Sequence, residues 1–352
     1  MHRWSRGFFL AICLALLTAW AVPQAQSQTN VAEKSPLKIG YLMDSLKVER
    51  WQTDLSIFQE RAKELGAQVL VETAEGDDAL QFQQSQKLMD EGVKVLVLVA
   101  HDTNKAARIV SAANARHIPV LCYERPVRNS DVSLFIGTNP EEIGELQASF
   151  LARLAPTGNY VLIGGSPADS NAQLLRVGQL RVLKPLVDNG NIKIVSDSWA
   201  KDWDPTAAYE IMSNAIGLTN GDITAVVASN DGTAGGAIQA LTEHKLAGKV
   251  LVSGQDGDLA AIIRILSGTQ TMTIYKPLKL QARLAAEAAV NLAAGTPIRN
   301  ATSIPNGTRM VQAIFLTPVV VTKNNVMQTV IKDGFQNLET IQKSLPKDEW
   351  PH

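Results

Sequence analysis

Side chains able to do covalent chemistry are sparse and scattered in this 352-residue sequence. Five histidines stand at positions 2, 101, 117, 244 and 352, and no two share the spacing of a metal site. A G-x-S-x-G elbow is absent, and Gly165-Ser166-Pro167 is not one. Cys122 lies in the apolar run Pro119 to Tyr123, where a lone thiol reads as a small core residue rather than a nucleophile. Gly232-Thr233-Ala234-Gly235-Gly236 is glycine-rich but has no lysine where a phosphate loop needs one, so it reads as a helix start packed close to a strand. No G-x-G-x-x-G follows the first strand. His101 stands at a strand tip, where a general base could sit, although a loop histidine is the simpler reading. No acidic pair stands out as the acid and nucleophile of a glycosidase. These observations point away from an enzyme, and no cofactor or metal is expected.

The elements that would position a site are clearer. Short apolar runs alternate with amphipathic stretches from Leu37 onward. Leu37–Leu42, Gln68–Glu72, Val95–Val99 and Ile118–Tyr123 read as strands. Between them, Glu49–Leu65, Asp78–Glu91 and Asn104–Arg116 read as helices, with Trp51, Leu55, Phe58, Ala62 and Leu65 at spacings of three and four. A second series has strands at Tyr160–Gly165, Ile192–Val195, Ala225–Ala228 and Val250–Ser253. Its helices are Asn171–Asn189, Asp204–Ile216 and Ala234–His244, and Pro185 predicts a kink or break in the first of them. Two such series predict an α/β fold of two Rossmann-like lobes, each a parallel sheet with helices on both faces.

In such sheets ligands bind outside the carboxyl ends of the strands. Those ends carry Asp44, Glu124-Arg125, Gly164-Gly165-Ser166, Ser229-Asn230-Asp231 and Gln255-Asp256. A small neutral polar ligand needs planar charged groups that each make several hydrogen bonds, and aromatic faces for its C–H patches. Sugars present both surfaces. Trp51, Trp199, Trp203 and Trp350 all fall near predicted tips or loops.

Composition excludes other classes. At 45% hydrophobic and 19% charged residues, the chain can bury a sizeable core, in roughly two domains at about 150 residues each. A formal charge of −1 leaves no footprint for nucleic acid. At the N-terminus Arg3 and Arg6 precede the apolar run Phe8–Leu17, and Ala25-Gln26-Ser27 offers a small-x-small cleavage site, with Ala19-Trp20-Ala21 as a second. Residues 1–27 are therefore expected to be a secretory signal peptide. Its removal takes away Cys13 and both arginines, leaving a mature chain with one cysteine and a charge of −3. A DNA-binding repressor would need an N-terminal helix-turn-helix, where this sequence reads as an export signal instead.

Longer runs carry a resemblance. Asp44-Ser45-Leu46-Lys47-Val48-Glu49-Arg50-Trp51-Gln52, Glu145-Leu146-Gln147-Ala148 and the run Gly164 to Ala172 are similar to periplasmic D-xylose-binding proteins. So are Val226 to Ala240, Val252 to Ala260 and Gly268 to Pro277, and the similarity spans about residues 37–335. The resemblance implies a type I periplasmic binding protein, in which two lobes joined by three crossovers close on a monosaccharide. It implies an N-terminal lobe of 36–138 plus 277–305, a C-terminal lobe of 139–276 plus 306–340, and a tail at 341–352. It also implies the pocket: Arg50 and Trp51 from the first loop, Glu124 and Arg125 after the fourth strand, and Asn171 at a helix start. Trp199 would cover one ring face, and Asn230, Asp256 and Lys276 would bond hydroxyls. Glu124 stands where the family usually has Asp, and its extra methylene displaces the carboxylate by about 1.5 Å. The implied protein is a periplasmic monomer. Its partner would be an ABC permease or, alternatively, a membrane-bound kinase or chemoreceptor that uses it as a sugar sensor.

Overall fold

A computed structural model describes residues 36–351 except Thr308. The expected signal peptide, residues 1–27, lies outside the described residues. The first series folds as its periodicity predicts. It comprises β1 (Leu37–Met43), α1 (Glu49–Glu64), β2 (Ala67–Thr73), α2 (Asp78–Asp90), β3 (Val95–Leu98), α3 (Ala107–Ala115) and β4 (Val120–Tyr123). A further strand, β5 (Leu134–Thr138), completes it. The second series begins with α4 (Pro140–Leu154) and continues through β6 (Gly158–Gly164), α5 (Ser170–Asp188) and β7 (Ile192–Trp199). It then runs through α6 (Pro205–Thr219), β8 (Ala225–Ala228), α7 (Asp231–Glu243) and β9 (Leu251–Val252). The remaining elements are α8 (Leu259–Leu266), β10 (Thr273–Tyr275), α9 (Leu278–Ala293), β11 (Thr302–Asn306), β12 (Arg309–Leu316), β13 (Val319–Val321) and α10 (Leu338–Ser344).

The first sheet has the order β11-β12-β5-β4-β3-β1-β2, parallel except where β11 pairs with β12. The order reverses at β1, and loops there diverge to opposite faces, leaving a crevice at the strand ends. Strands buried on both faces explain why β3 and β4 are unbroken apolar runs. One face packs Phe58 and Ala62 of α1 and the alanine-rich side of α9, including Ala282, Ala285 and Ala289. The other packs Leu88 of α2 and Ile109, Val110 and Ala113 of α3. The second sheet, β7-β6-β8-β9, repeats the plan. Met212 of α6 and Ala237 and Leu241 of α7 cover one face, and Leu151 of α4 and Leu183 of α5 the other.

The chain passes between the sheets three times: from β5 to α4, from β10 to α9, and from β12 to β13. The last passage differs from the expected lobe limits. Residues 309–316 were expected in the C-terminal lobe, yet β12 lies in the first sheet, with Ala313 opposite Phe135 and Leu316 opposite Thr138. Val311 and Ala313 are thereby buried in the first lobe's core. The described part of the expected tail, residues 341–351, packs back on the molecule. Ile341 of α10 is buried against Ile262, Ile265 and Val330, and the Trp350 indole donates to the carbonyls of Gln342 and Leu345. Pro185 does not break α5, because it falls in the last turn. No helix among the described residues is long and apolar enough to cross a membrane.

Candidate functional site

The polar strand tips of both sheets converge on one cavity. It is lined by Val48, Arg50, Trp51, Glu124 and Arg125 from the first lobe, by Asp169, Asn171, Trp203, Asn230, Gln255 and Asp256 from the second, and by Lys276 at a crossover. Its empty space, mouth included, is about 320 Å³. Of the nine residues expected to form a pocket, eight lie here. Trp199 does not.

The tryptophan is a correction. The ring lining the cavity is Trp203, whereas Trp199 ends β7 and packs over Gly164 with the Arg176 guanidinium 4.8 Å from its ring centre. A tight turn at Lys201–Trp203 accounts for the difference, since Asp202 and Trp203 both adopt positive φ, at 54° and 59°. That turn lays Trp203 across Gly165, where a Cβ would come within 2.3 Å of the ring. Glu124 and Asp256 also have positive φ, at 63° and 106°. Non-glycine residues held in such conformations are strained, and strain of this kind clusters at functional sites.

The charges are paired with each other. Lys276 Nζ lies 2.6 Å from Glu124 Oε1 and 2.9 Å from Asp256 Oδ1. Arg50 bonds Asp54 at 2.8 Å and reaches Glu124 and Asp256 at 3.2 and 3.3 Å. The Gln281 amide donates to the other oxygen of Glu124 at 2.8 Å. The additional methylene of Glu124 thus serves a carboxylate that spans to the crossover and to α9. Arg125 donates to Asp44 at 2.7 Å and to the Ala100 carbonyl at 2.9 Å, and its Nε lies 2.9 Å from Asp169 on the opposite lobe. The Trp51 ring has the Arg50 guanidinium 4.4 Å and the Arg125 guanidinium 5.5 Å from its centre.

Asp169 and Val48 were not anticipated as site residues, and Gln255 was noted only as a strand-tip residue. Asp169 caps α5 by accepting from the Asn171 amide, and a cap is all that its local sequence signals. His101, read as a loop residue, bonds Asp44 at 2.8 Å and so supports Arg125 from behind. Three lining cations face three lining carboxylates, with Asp54 and Asp44 paired to Arg50 and Arg125 behind them, so the wall itself presents no surplus of positive charge to an anion. It does have unsatisfied capacity: Asn171 Oδ1, Gln255 Oε1 and Arg50 Nε are buried without a partner. The Asn230 carbonyl oxygen caps α7, which leaves its amide nitrogen as the group it can present. Outside the cavity the lobes are also joined by Thr103, whose hydroxyl accepts from the Ser170 amide at 2.9 Å, and by Ser170, which donates to the Pro126 carbonyl.

Residues 39–297 match the family model described as the periplasmic binding protein domain. The chain belongs to that family. Within it, the D-xylose-binding periplasmic protein of Escherichia coli is 46% identical over 94% of this chain and 97% of its own length. The Haemophilus influenzae protein of the same name is 46% identical over 89% and 94%. Among solved structures, a carbohydrate transporter solute binding protein from Chloroflexus aurantiacus in complex with D-glucose aligns with a TM-score of 0.81 at 27% identity. That alignment covers 86% of this chain and 97% of the other. The type I periplasmic binding protein fold expected from the sequence is the fold observed.

Burying so many charges gives this periplasmic binding protein an acid-sensitive centre. Burial opposes the charge of Glu124, but Lys276 and Arg50 overcome it and bring its pKa down from 4.5 to about 2. A carboxylate depressed on folding stabilises the fold above its unfolded pKa, and that contribution fades as pH falls through the folded value. Stability on the order of 3 kcal/mol should therefore be lost between about pH 4.5 and 2. Denaturant melts across that range should show it, and Glu124→Gln should flatten this limb; an identical acid limb in the variant would mean that other carboxylates dominate.

Proposed function

We propose that the protein captures an uncharged aldose, D-xylose first among the candidates, in the periplasm and delivers it to an ABC permease. The single observation that carries this reading is a balanced interlobe cavity, three cations against three carboxylates, with Trp51 and Trp203 in its wall. Paired charges present donors and acceptors of fixed geometry without favouring an ionic ligand, and charge-assisted bonds to hydroxyls are the strong ones. Buried partnerless atoms of Asn171, Gln255 and Arg50 gain partners from a polyhydroxylated ring. Trp203 stacks on its C–H face. The 46% identity to proteins named for D-xylose binding favours that sugar.

Capture works by closure. The groups divide between lobes, Arg50, Glu124 and Arg125 on one and Asn171, Asn230 and Asp256 on the other, so only the closed form offers all of them together. A sugar that binds this form better shifts the population toward it. A permease then reads the outer surfaces brought together by closure. The test is calorimetric titration of the purified protein with D-xylose, D-glucose, D-ribose and L-arabinose. We expect binding on the order of micromolar, about −8 kcal/mol, for at least one of them. No heat with any aldose, from protein with an intact circular dichroism spectrum, would overturn the reading.

A further inference from the structure

Asp256 faces the cavity in a backbone conformation that few L-residues adopt, so something must hold it there. The surrounding hydrogen bonds lead to one residue outside the set assigned to the ligand. Asp231, the first residue of α7, is 1% exposed. Its backbone amide donates to the Gln255 carbonyl at 2.8 Å, and its Oδ2 accepts from the Asp258 amide at 3.0 Å. The turn that carries Asp256 is thereby pinned on both sides. Oδ2 also accepts from the Thr273 hydroxyl at 2.9 Å, and that same hydroxyl accepts from the Gly257 amide at 3.3 Å. Oδ1 accepts from Gln270 at 2.8 Å. The turn is pressed against the carboxylate so closely that a Cβ on Gly254 would lie 2.0 Å from Oδ1.

We propose that Asp231 is the positioning residue for Asp256: its carboxylate fixes the turn that presents Asp256 to the sugar. The inference rests on the aldose-binding reading above. A carboxylate suits the task because it is acceptor-only, and donors converge on both of its oxygens here. A protonated or amide group must instead turn a donor toward one of them.

Asp231 is also placed to titrate near neutrality. Burial and the neighbouring Asp256 charge raise its pKa from 3.8 to about 7, against the opposing effects of Arg264, Gln270 and Thr273. The groups facing it are Asp256 and Asp258 from the turn, Arg264 from α8, whose Nη2 donates to the Asp231 carbonyl, and the uncharged Gln270 and Thr273. As pH falls through about 7 the carboxyl gains a proton and loses acceptor capacity, so its hold on the turn weakens.

The test compares wild type with Asp231→Asn by calorimetric titration with D-xylose, and with D-glucose as a second probe, at pH 8.5 and 5.5. His101 titrates in both proteins and cancels in the ratio of dissociation constants. We expect that ratio to be about tenfold at pH 8.5 and within about twofold of unity at pH 5.5, where the wild-type residue is itself uncharged. A ratio near one at both pH values, or one that stays constant with pH, overturns the proposal. Should Asp231→Asn fail to fold, Thr273→Val removes the hydroxyl that ties the carboxylate to Gly257. It is expected to weaken binding about fivefold, and unchanged affinity would refute the role. A wild type that binds neither probe nor any other aldose overturns the functional reading and this inference with it. A wild type that binds beside an unaffected variant overturns the inference alone.

Discussion

Arg125→Ala is expected to weaken aldose binding at least about a hundredfold in calorimetric titration. Arg125 is 4% exposed and stands at the seam between the lobes. It meets Asp44 on its own lobe and Asp169 on the other. Burial disfavours its charge, but Asp169 and Asp44 more than compensate, so the guanidinium pKa is raised and the group stays cationic. Truncation has two consequences. The ligand loses a planar group with several donors, and two carboxylates lose their counter-charge, one of them the fully buried Asp169. Removing one member of a buried hydrogen-bonded charge pair typically costs about 2–5 kcal/mol, and about 2.7 kcal/mol is already a hundredfold. The contact across the seam between the lobes is lost with it, because Arg125 and Asp169 meet there. Equal affinities in variant and wild type would remove Arg125 from the binding surface.

Trp203→Ala and Trp199→Ala should separate cleanly. Loss of Trp203 removes the ring that lines the cavity, and burying an aromatic face contributes about 1.5–3 kcal/mol, so affinity should fall about 10- to 100-fold. Loss of Trp199 should leave affinity within about threefold. It should instead lower the thermal midpoint by several degrees, because its indole fills the space above Gly164 and beside Arg176. The opposite pattern, with binding lost in the Trp199 variant and retained in the Trp203 variant, would restore Trp199 to the ring-stacking role.

The two tryptophans mark a limit of sequence reading. Spacing puts Trp199 a few residues beyond a strand ending at Val195, and the family resemblance implies that its ring covers a sugar face. In the folded chain β7 continues to Trp199, and the turn that follows carries two positive-φ residues that are not glycine. No residue pattern announces that pair of conformations: aspartate visits the left-handed region more readily than most residues, but a tryptophan following it there is rare. The lobe boundary failed for a related reason. Pairing of β12 with β5 joins residues far apart in the chain, and a local window carries no signal for it. The C-terminal segment from Leu338 follows suit, because Ile341 finds its core against α8 and Val330.

The alternation of strands and helices, the parallel sheets that follow from it, and the polar residues at strand tips are legible in the amino-acid order. Apolar runs such as Val95–Leu98 and helical spacings such as Trp51, Leu55 and Phe58 encode these through contacts between near neighbours. Family likeness added the two-lobed plan and most of the pocket. It took the folded chain to show that Trp203 rather than Trp199 lines the cavity, that Asp169 reaches across to Arg125, and that the Asp231 carboxylate is bonded to the turn carrying Asp256. Those outcomes depend on where separate lobes set their loops against each other, and short-range preference does not specify a meeting between groups many residues apart.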